Sequence, residues 1–171
     1  TAMRTGAATA LSAKYLARPE SSVIGVLGCG VQGRSNVEAL NVLFPIKEVR
    51  AYDVNAESVE QYAAEINARL DLEVKPAATP REAVSGCDIV VTAGPMLKKP
   101  HATIQDYWLD EGAFASMVDF DDYWHPDAMA QAAKFCTDDT TQFQIYREMG
   151  YFPKIPDLYD DLFELVSDQK P

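Results

Sequence analysis

The chain has 171 residues, 47% of them hydrophobic and 24% charged, and 15 Lys and Arg against 26 Asp and Glu leave a net charge of −11. Those proportions exclude global disorder and fit a single globular domain better than two full cores. The acidic balance argues against attraction to phosphate backbones or anionic lipid faces, so neither nucleic acid nor a membrane is an expected partner.

No apolar run approaches the roughly 20 residues that cross a bilayer, and Thr1-Ala2-Met3-Arg4 has none of the features of a secretion signal. A cytoplasmic location is the default expectation. Cys29, Cys87 and Cys136 are odd in number and far apart, which fits reduced thiols rather than a disulfide framework or a metal site.

In chain order, residues 2–18 are rich in alanine and predict a lead-in helix despite Gly6, stopped by Pro19. The chain opens on Thr1 and passes at once into helix formers, which reads as a piece of something longer. Val23-Ile24-Gly25-Val26-Leu27 is short and fully apolar, the pattern of a buried parallel strand. Residues 31–43 predict a helix, 49–52 a strand, 56–70 a helix with Val59, Tyr62 and Ile66 on one face, and 72–74 a weaker strand. Thr79-Pro80-Arg81-Glu82 has the form of a helix start, with Thr79 as cap and Glu82 three residues on.

Strands follow at 89–92 and 113–118, then a helix at 126–132 and a marginal strand at 134–137. This alternation implies right-handed crossovers and an α/β, doubly wound parallel sheet spanning the whole chain as one Rossmann-type domain. Beyond residue 138 the pattern is less regular. A helix is expected at 140–149 and an acidic helix at 158–166, and the proline-broken aromatic stretch Tyr151 to Pro156 reads as a docking surface.

The chemistry concentrates in Gly28-Cys29-Gly30-Val31-Gln32-Gly33, between an apolar strand and a helix. In that context the glycines allow a tight turn, a close approach of pyrophosphate to the backbone and a close packing of helix on strand. The helix N-terminus supplies N–H groups and a positive dipole end for the anion. Asp53 lies 20 residues after Gly33, where a carboxylate accepts hydrogen bonds from both adenosine ribose hydroxyls and repels a 2′-phosphate. Val54 and Asn55 offer no arginine to that phosphate, so NAD is expected in preference to NADP. Residues 89–95 end a strand in small residues, a smooth wall for nicotinamide. A methyltransferase, whose cofactor also sets its ribose on an acid, is the rival reading, and a plain turn with Asp53 as a helix cap is the blander one.

Thr1-Ala2-Met3-Arg4-Thr5-Gly6-Ala7-Ala8, Tyr15-Leu16-Ala17-Arg18, the glycine loop, and Glu82-Ala83-Val84-Ser85-Gly86-Cys87-Asp88-Ile89 together resemble the ornithine cyclodeaminase and mu-crystallin family. The resemblance is clear over residues 1–125 and looser beyond. It implies that this chain is a cofactor domain inserted between the two ends of a longer, homodimeric parent whose substrate domain is absent here. Arg4 matches the family arginine that grips the substrate carboxylate and reaches toward the cofactor phosphates, a role suited to a planar guanidinium. Cys29, Val31 and Gln32 match positions along the pyrophosphate, Asp53, Val54 and Asn55 those around the ribose, and Gly94, Pro95 and Val118 those on the nicotinamide side.

Asp121 falls where cyclodeaminases place an acid/base aspartate, although the run Asp119-Phe120-Asp121-Asp122 departs from the glycines that precede that residue in the family. The implied activity is hydride transfer between the amine carbon of an L-amino acid, or its imine, and nicotinamide. A mu-crystallin-like ligand binder without significant turnover is the alternative. His101 and His125 read as surface residues, and Cys29 as a small residue that fits its loop rather than a thiol sensor.

Overall fold

The computed structural model describes residues 2–99 and 101–167. Thr1, the first residue of the helix motif that carries the family resemblance, lies outside the described residues, as does the end of the C-terminal extension at 168–171. The elements in chain order are α1 (Ala2–Leu16), β1 (Val23–Leu27), α2 (Val31–Leu43), β2 (Glu48–Tyr52), α3 (Ala56–Leu70), β3 (Glu73–Pro76), α4 (Pro80–Val84), β4 (Ile89–Thr92), β5 (Phe114–Met117), α5 (Pro126–Met129), β6 (Phe135–Thr137), α6 (Thr140–Glu148), β7 (Leu158–Asp161) and α7 (Leu162–Ser167).

Five strands pair in the order β3-β2-β1-β4-β5, every pair parallel. The chain lays strands to one side of β1 and then returns to add β4 on the other. Alternate residues of β1 and β4 enter opposite cores. Ile24, Val26, Ile89 and Val91 pack with residues of α1, α2 and α3 on one face, whereas Leu27 and Val90 pack with Ala83, Trp124, Met129 and Phe152 on the other. Burial on both faces is why these strands read as unbroken apolar runs, and it bears out the doubly wound reading.

Local signals in the sequence set several boundaries. Asn55 caps α3 by accepting from the Glu57 N–H, and Thr79 caps α4 while the Glu82 carboxylate accepts from the Ala78 N–H. Gly6, costly in a helix by about 1 kcal/mol against alanine, is explained by tertiary contact. A Cβ there would stand 2.4 Å from the Ser35 carbonyl oxygen, so α1 lies close on α2 because that side chain is missing. The Thr9 and Ser116 hydroxyls bond at 2.8 Å and fasten α1 to β5. Asp88 ties the end of α1 to β1 and β4: it accepts from Arg18 at 2.6 Å and from the N–H groups of Ser22 and Val23. Burial works to raise Asp88, but those donors outweigh it and hold its carboxyl below the ordinary range. The stability it contributes is therefore present at neutral pH and is lost on strong acidification.

Two expectations are corrected in the C-terminal third. The segment at 158–166 is not one helix, because Leu158–Asp161 forms β7 and pairs in parallel with β6 in a separate two-stranded sheet. The helix begins only where Asp161 and Glu164 cap one another's N–H groups. The aromatic stretch is not a free docking surface either. Phe152 and Ile155 are buried, and Phe120 meets the rings of Tyr146, Tyr151 and Phe152 at 4.6 to 5.0 Å between centroids. The proline-broken segment fills the second core of this same chain.

Candidate dinucleotide site

Register places the site. Leu27 stands opposite both Tyr52 and Thr92, and Met117 opposite Thr92, so β2, β1, β4 and β5 end at one level. Asp53, Gly28, Ala93 and Val118 then leave the sheet side by side. Here the strand order reverses, at the β1/β4 gap where open α/β sheets bind their ligands.

The three glycines of the loop have three different environments. Gly28 has φ of +103° and a Cβ there would lie 2.5 Å from the Ala93 carbonyl oxygen, so the two lips of the gap touch. A Cβ on Gly33 would lie 2.2 Å from the Gly28 oxygen, which holds α2 hard against the turn. Gly30 is exposed and a Cβ there would meet nothing within 4 Å. It is the N-cap of α2 and makes no side-chain cap hydrogen bond, so the first-turn N–H groups of the helix remain available to an anion.

Asp53 sits directly against this loop. One carboxylate oxygen accepts from the Cys29 N–H at 2.9 Å and the other from the Asn55 N–H at 3.0 Å. Val54 and Val31 beside it are 92% and 69% exposed, apolar side chains left open at the rim of the gap. Gln32 is half-buried and Cys29 buried. Burial, with Asp53 adding to it and Arg34 opposing, pushes the Cys29 thiol up to about 12, so it stays protonated and unreactive at neutral pH.

The far side of the gap is built by the turn after β5. Asp119 accepts from the Thr92 hydroxyl at 2.6 Å and the Gly94 N–H at 3.0 Å, Asp122 accepts from the Leu97 N–H at 2.7 Å, and the Tyr123 hydroxyl donates to the Pro95 carbonyl at 3.0 Å. Val118 is half-buried next to this turn. Asp121 is buried; one oxygen accepts from the Phe152 N–H at 2.9 Å, and the other has no hydrogen-bond partner among the described residues. It borders a cavity of about 470 Å³ that is also lined by Lys98, Trp124, Met129 and Tyr151.

Arg4 is exposed near the start of α1, two residues before the contact with α2. His101 is exposed, and His125 is half-buried as the cap of α5. Among the described residues no cluster of His, Cys, Asp and Glu has the makings of a metal site, and no helix is long and apolar enough to cross a membrane.

One contributor escaped the sequence reading. The Arg34 guanidinium, immediately after Gly33, donates to the Cys29 carbonyl and pairs with Glu65. Cys29 is thus held at its N–H by Asp53 and at its carbonyl by Arg34. A cation directly following the last glycine was the available signal.

A family model described as the ornithine cyclodeaminase/mu-crystallin family matches residues 1–170. The chain belongs to that family. Alanine dehydrogenase of Archaeoglobus fulgidus is 38% identical over 121 residues, 71% of this chain and 36% of that protein. Ketimine reductase mu-crystallin of Rattus norvegicus is 29% identical over an alignment covering 100% of this chain and 53% of that protein. Among solved family structures, the Thermococcus litoralis Δ1-pyrroline-2-carboxylate reductase in complex with NADH and L-proline superposes with a TM-score of 0.81 at 28% identity, covering 99% of this chain and 55% of that one. This member of the ornithine cyclodeaminase/mu-crystallin family therefore spans about half the length of relatives it matches, or less.

Proposed function

We propose that this chain is the NAD-binding part of an ornithine cyclodeaminase-like oxidoreductase that moves hydride between nicotinamide and the amine carbon of an L-amino acid or the corresponding imine. The observation that carries the reading is the glycine loop: Gly30 leaves open space over the N-terminus of α2 while Asp53 stands on the adjoining Cys29 N–H. That cradle fits a diphosphate joined to a ribose. Asp53 would take the ribose hydroxyls and oppose a 2′-phosphate, which favours NAD over NADP. Gly94, Pro95 and Val118 would border the nicotinamide side.

When bound, the nicotinamide supplies the hydride acceptor or donor. The protein's own part is to orient it and to handle the amine. Arg4, exposed on α1, is suited to grip a carboxylate or phosphate through parallel hydrogen bonds. Asp121 borders a cavity but its unpartnered oxygen is buried, so that oxygen would have to turn toward the substrate to hold an amino group or accept its proton. The parent would be a cytoplasmic homodimer, and this chain without the remaining length of its relatives is expected to be catalytically silent. One observation favours the mu-crystallin-like alternative of binding without turnover: Asp119, Asp121 and Asp122 each accept from a backbone N–H, as structural acids do.

Calorimetry of this chain with NAD, NADP and S-adenosylmethionine in parallel tests the cofactor. NAD is expected to bind at least about tenfold more tightly than NADP, a difference of about 1.4 kcal/mol. Tighter binding of S-adenosylmethionine would replace the dehydrogenase reading with a methyltransferase. In a protein carrying both this chain and a substrate domain, Asp121→Asn is expected to lower amino-acid-dependent NADH formation by about 100-fold with NAD affinity nearly unchanged. Unaltered turnover would leave Asp121 a structural acid.

A further inference from the structure

Asp119 is 2% exposed, yet it is placed to act on the crevice. One oxygen accepts from the Thr92 hydroxyl and the other from the Gly94 N–H. Thr92 in turn accepts from the Trp124 indole N–H at 3.0 Å, so its single hydroxyl proton is committed to Asp119. The turn held in this way, Thr92 to Gly94, contains the Ala93 carbonyl that abuts Gly28 of the nucleotide loop. A carboxylate at the end of β5 thereby fixes one lip of the β1/β4 gap against the other.

We propose that Asp119 is a positioning residue for dinucleotide binding: its ionised carboxylate pins the Thr92–Gly94 turn against the glycine loop, and protonation of this one side chain loosens the crevice and weakens binding. The inference rests on the NAD-binding reading above. Protonation takes up one lone pair and removes the charge that strengthens both bonds, so the grip on the Thr92 hydroxyl and the Gly94 N–H weakens whichever oxygen the proton joins. The surroundings bring that protonation into an accessible range. Burial, the largest influence, and the neighbouring Asp122 raise Asp119, the Thr92 hydroxyl and the backbone N–H groups of Gly94 and of Asp119 itself work to lower it, and the net result is about 6. The phenol of Tyr123 nearby, raised by burial and by Asp119, Asp122 and Asp53, stays protonated throughout. Ligand binding that needs the carboxylate therefore strengthens as pH rises through about 6 and fades below it.

The test measures NAD affinity of this chain by calorimetry between pH 5 and 8. It also follows the Trp124 indole N–H resonance without nucleotide, with Trp108→Phe confirming the assignment. Wild type is expected to bind at least about fivefold more weakly at pH 5 than at pH 7.5, with the indole resonance titrating over the same interval. Asp119→Asn is expected to bind weakly at every pH and to show no such titration. Thr92→Val keeps the acid but removes both its hydroxyl donor and the acceptor of the Trp124 indole, so it should move the midpoint of NAD binding upward, and Thr92→Ser should restore it; this pair decides the matter if Asp119→Asn fails to fold. A wild-type pH profile retained in Asp119→Asn, or a binding midpoint unmoved in Thr92→Val, overturns the positioning role while NAD binding stands. Absence of NAD binding by wild type at every pH would remove the NAD reading and this inference together.

Discussion

Gly30→Asp is expected to fold at least as well as the natural chain and to lose about 100-fold or more in NAD affinity, about 3 kcal/mol. The backbone at Gly30 is extended, with φ −84° and ψ −164°, and it occupies the N-cap of α2 without a side-chain cap. Aspartate is among the best residues for such a cap and also complements the helix dipole. The same carboxylate would fill the space that a diphosphate needs and would repel it. Gly33→Ala should do the opposite. Its Cβ would press within 2.2 Å of the Gly28 oxygen, a backbone atom that cannot swing away, so the cost falls on the fold, at about 3 kcal/mol. Thermal melts and calorimetry on the two variants should separate cleanly. If Gly30→Asp binds NAD as the natural chain does, the phosphates do not lie over this helix.

The second large effect is expected at Asp53. Asp53→Ser combined with Val54→Arg should invert the preference between NAD and NADP, changing the ratio of affinities by about 100-fold. Removing the carboxylate takes away both the ribose acceptor and the repulsion of a 2′-phosphate, and the arginine supplies a planar donor for that phosphate. Val54 is almost fully exposed, so the longer side chain displaces nothing. Removal of Asp53 also frees the Cys29 N–H, which it holds at 2.9 Å, but Arg34 still fixes the Cys29 carbonyl, so the loop is expected to keep its course. A ratio of affinities unchanged in the double variant would show that Asp53 does not face the ribose.

The lead-in helix, the first four strands and their helices, and the glycine loop with its acid were legible without coordinates. Each is written in short-range terms: an apolar run buried on both faces, a cap residue at the right offset, glycines between strand and helix. Asp161 and Glu164 also carry a short-range capping pattern, but the preceding Leu158–Asp161 became a strand because β6 offered it backbone partners. An acidic stretch with isolated apolar residues does not announce that choice. Likewise the aromatic residues around Phe152 read as a docking surface because nothing local to them shows that Phe120 of their own chain would meet them.

Sequence alone determined that a glycine-rich turn would sit at the mouth of a buried strand with a carboxylate about one strand away, because those features depend on residues close together in the chain. Only the tertiary structure decided what the acids of the 119–122 turn do. Asp119, Asp121 and Asp122 crowd into four positions of the sequence, yet they reach Gly94, Phe152 and Leu97 respectively. Which donor each carboxylate meets is fixed by strands and loops 25 or more residues away in sequence, brought to the same edge of the sheet by the register of β4 and β5.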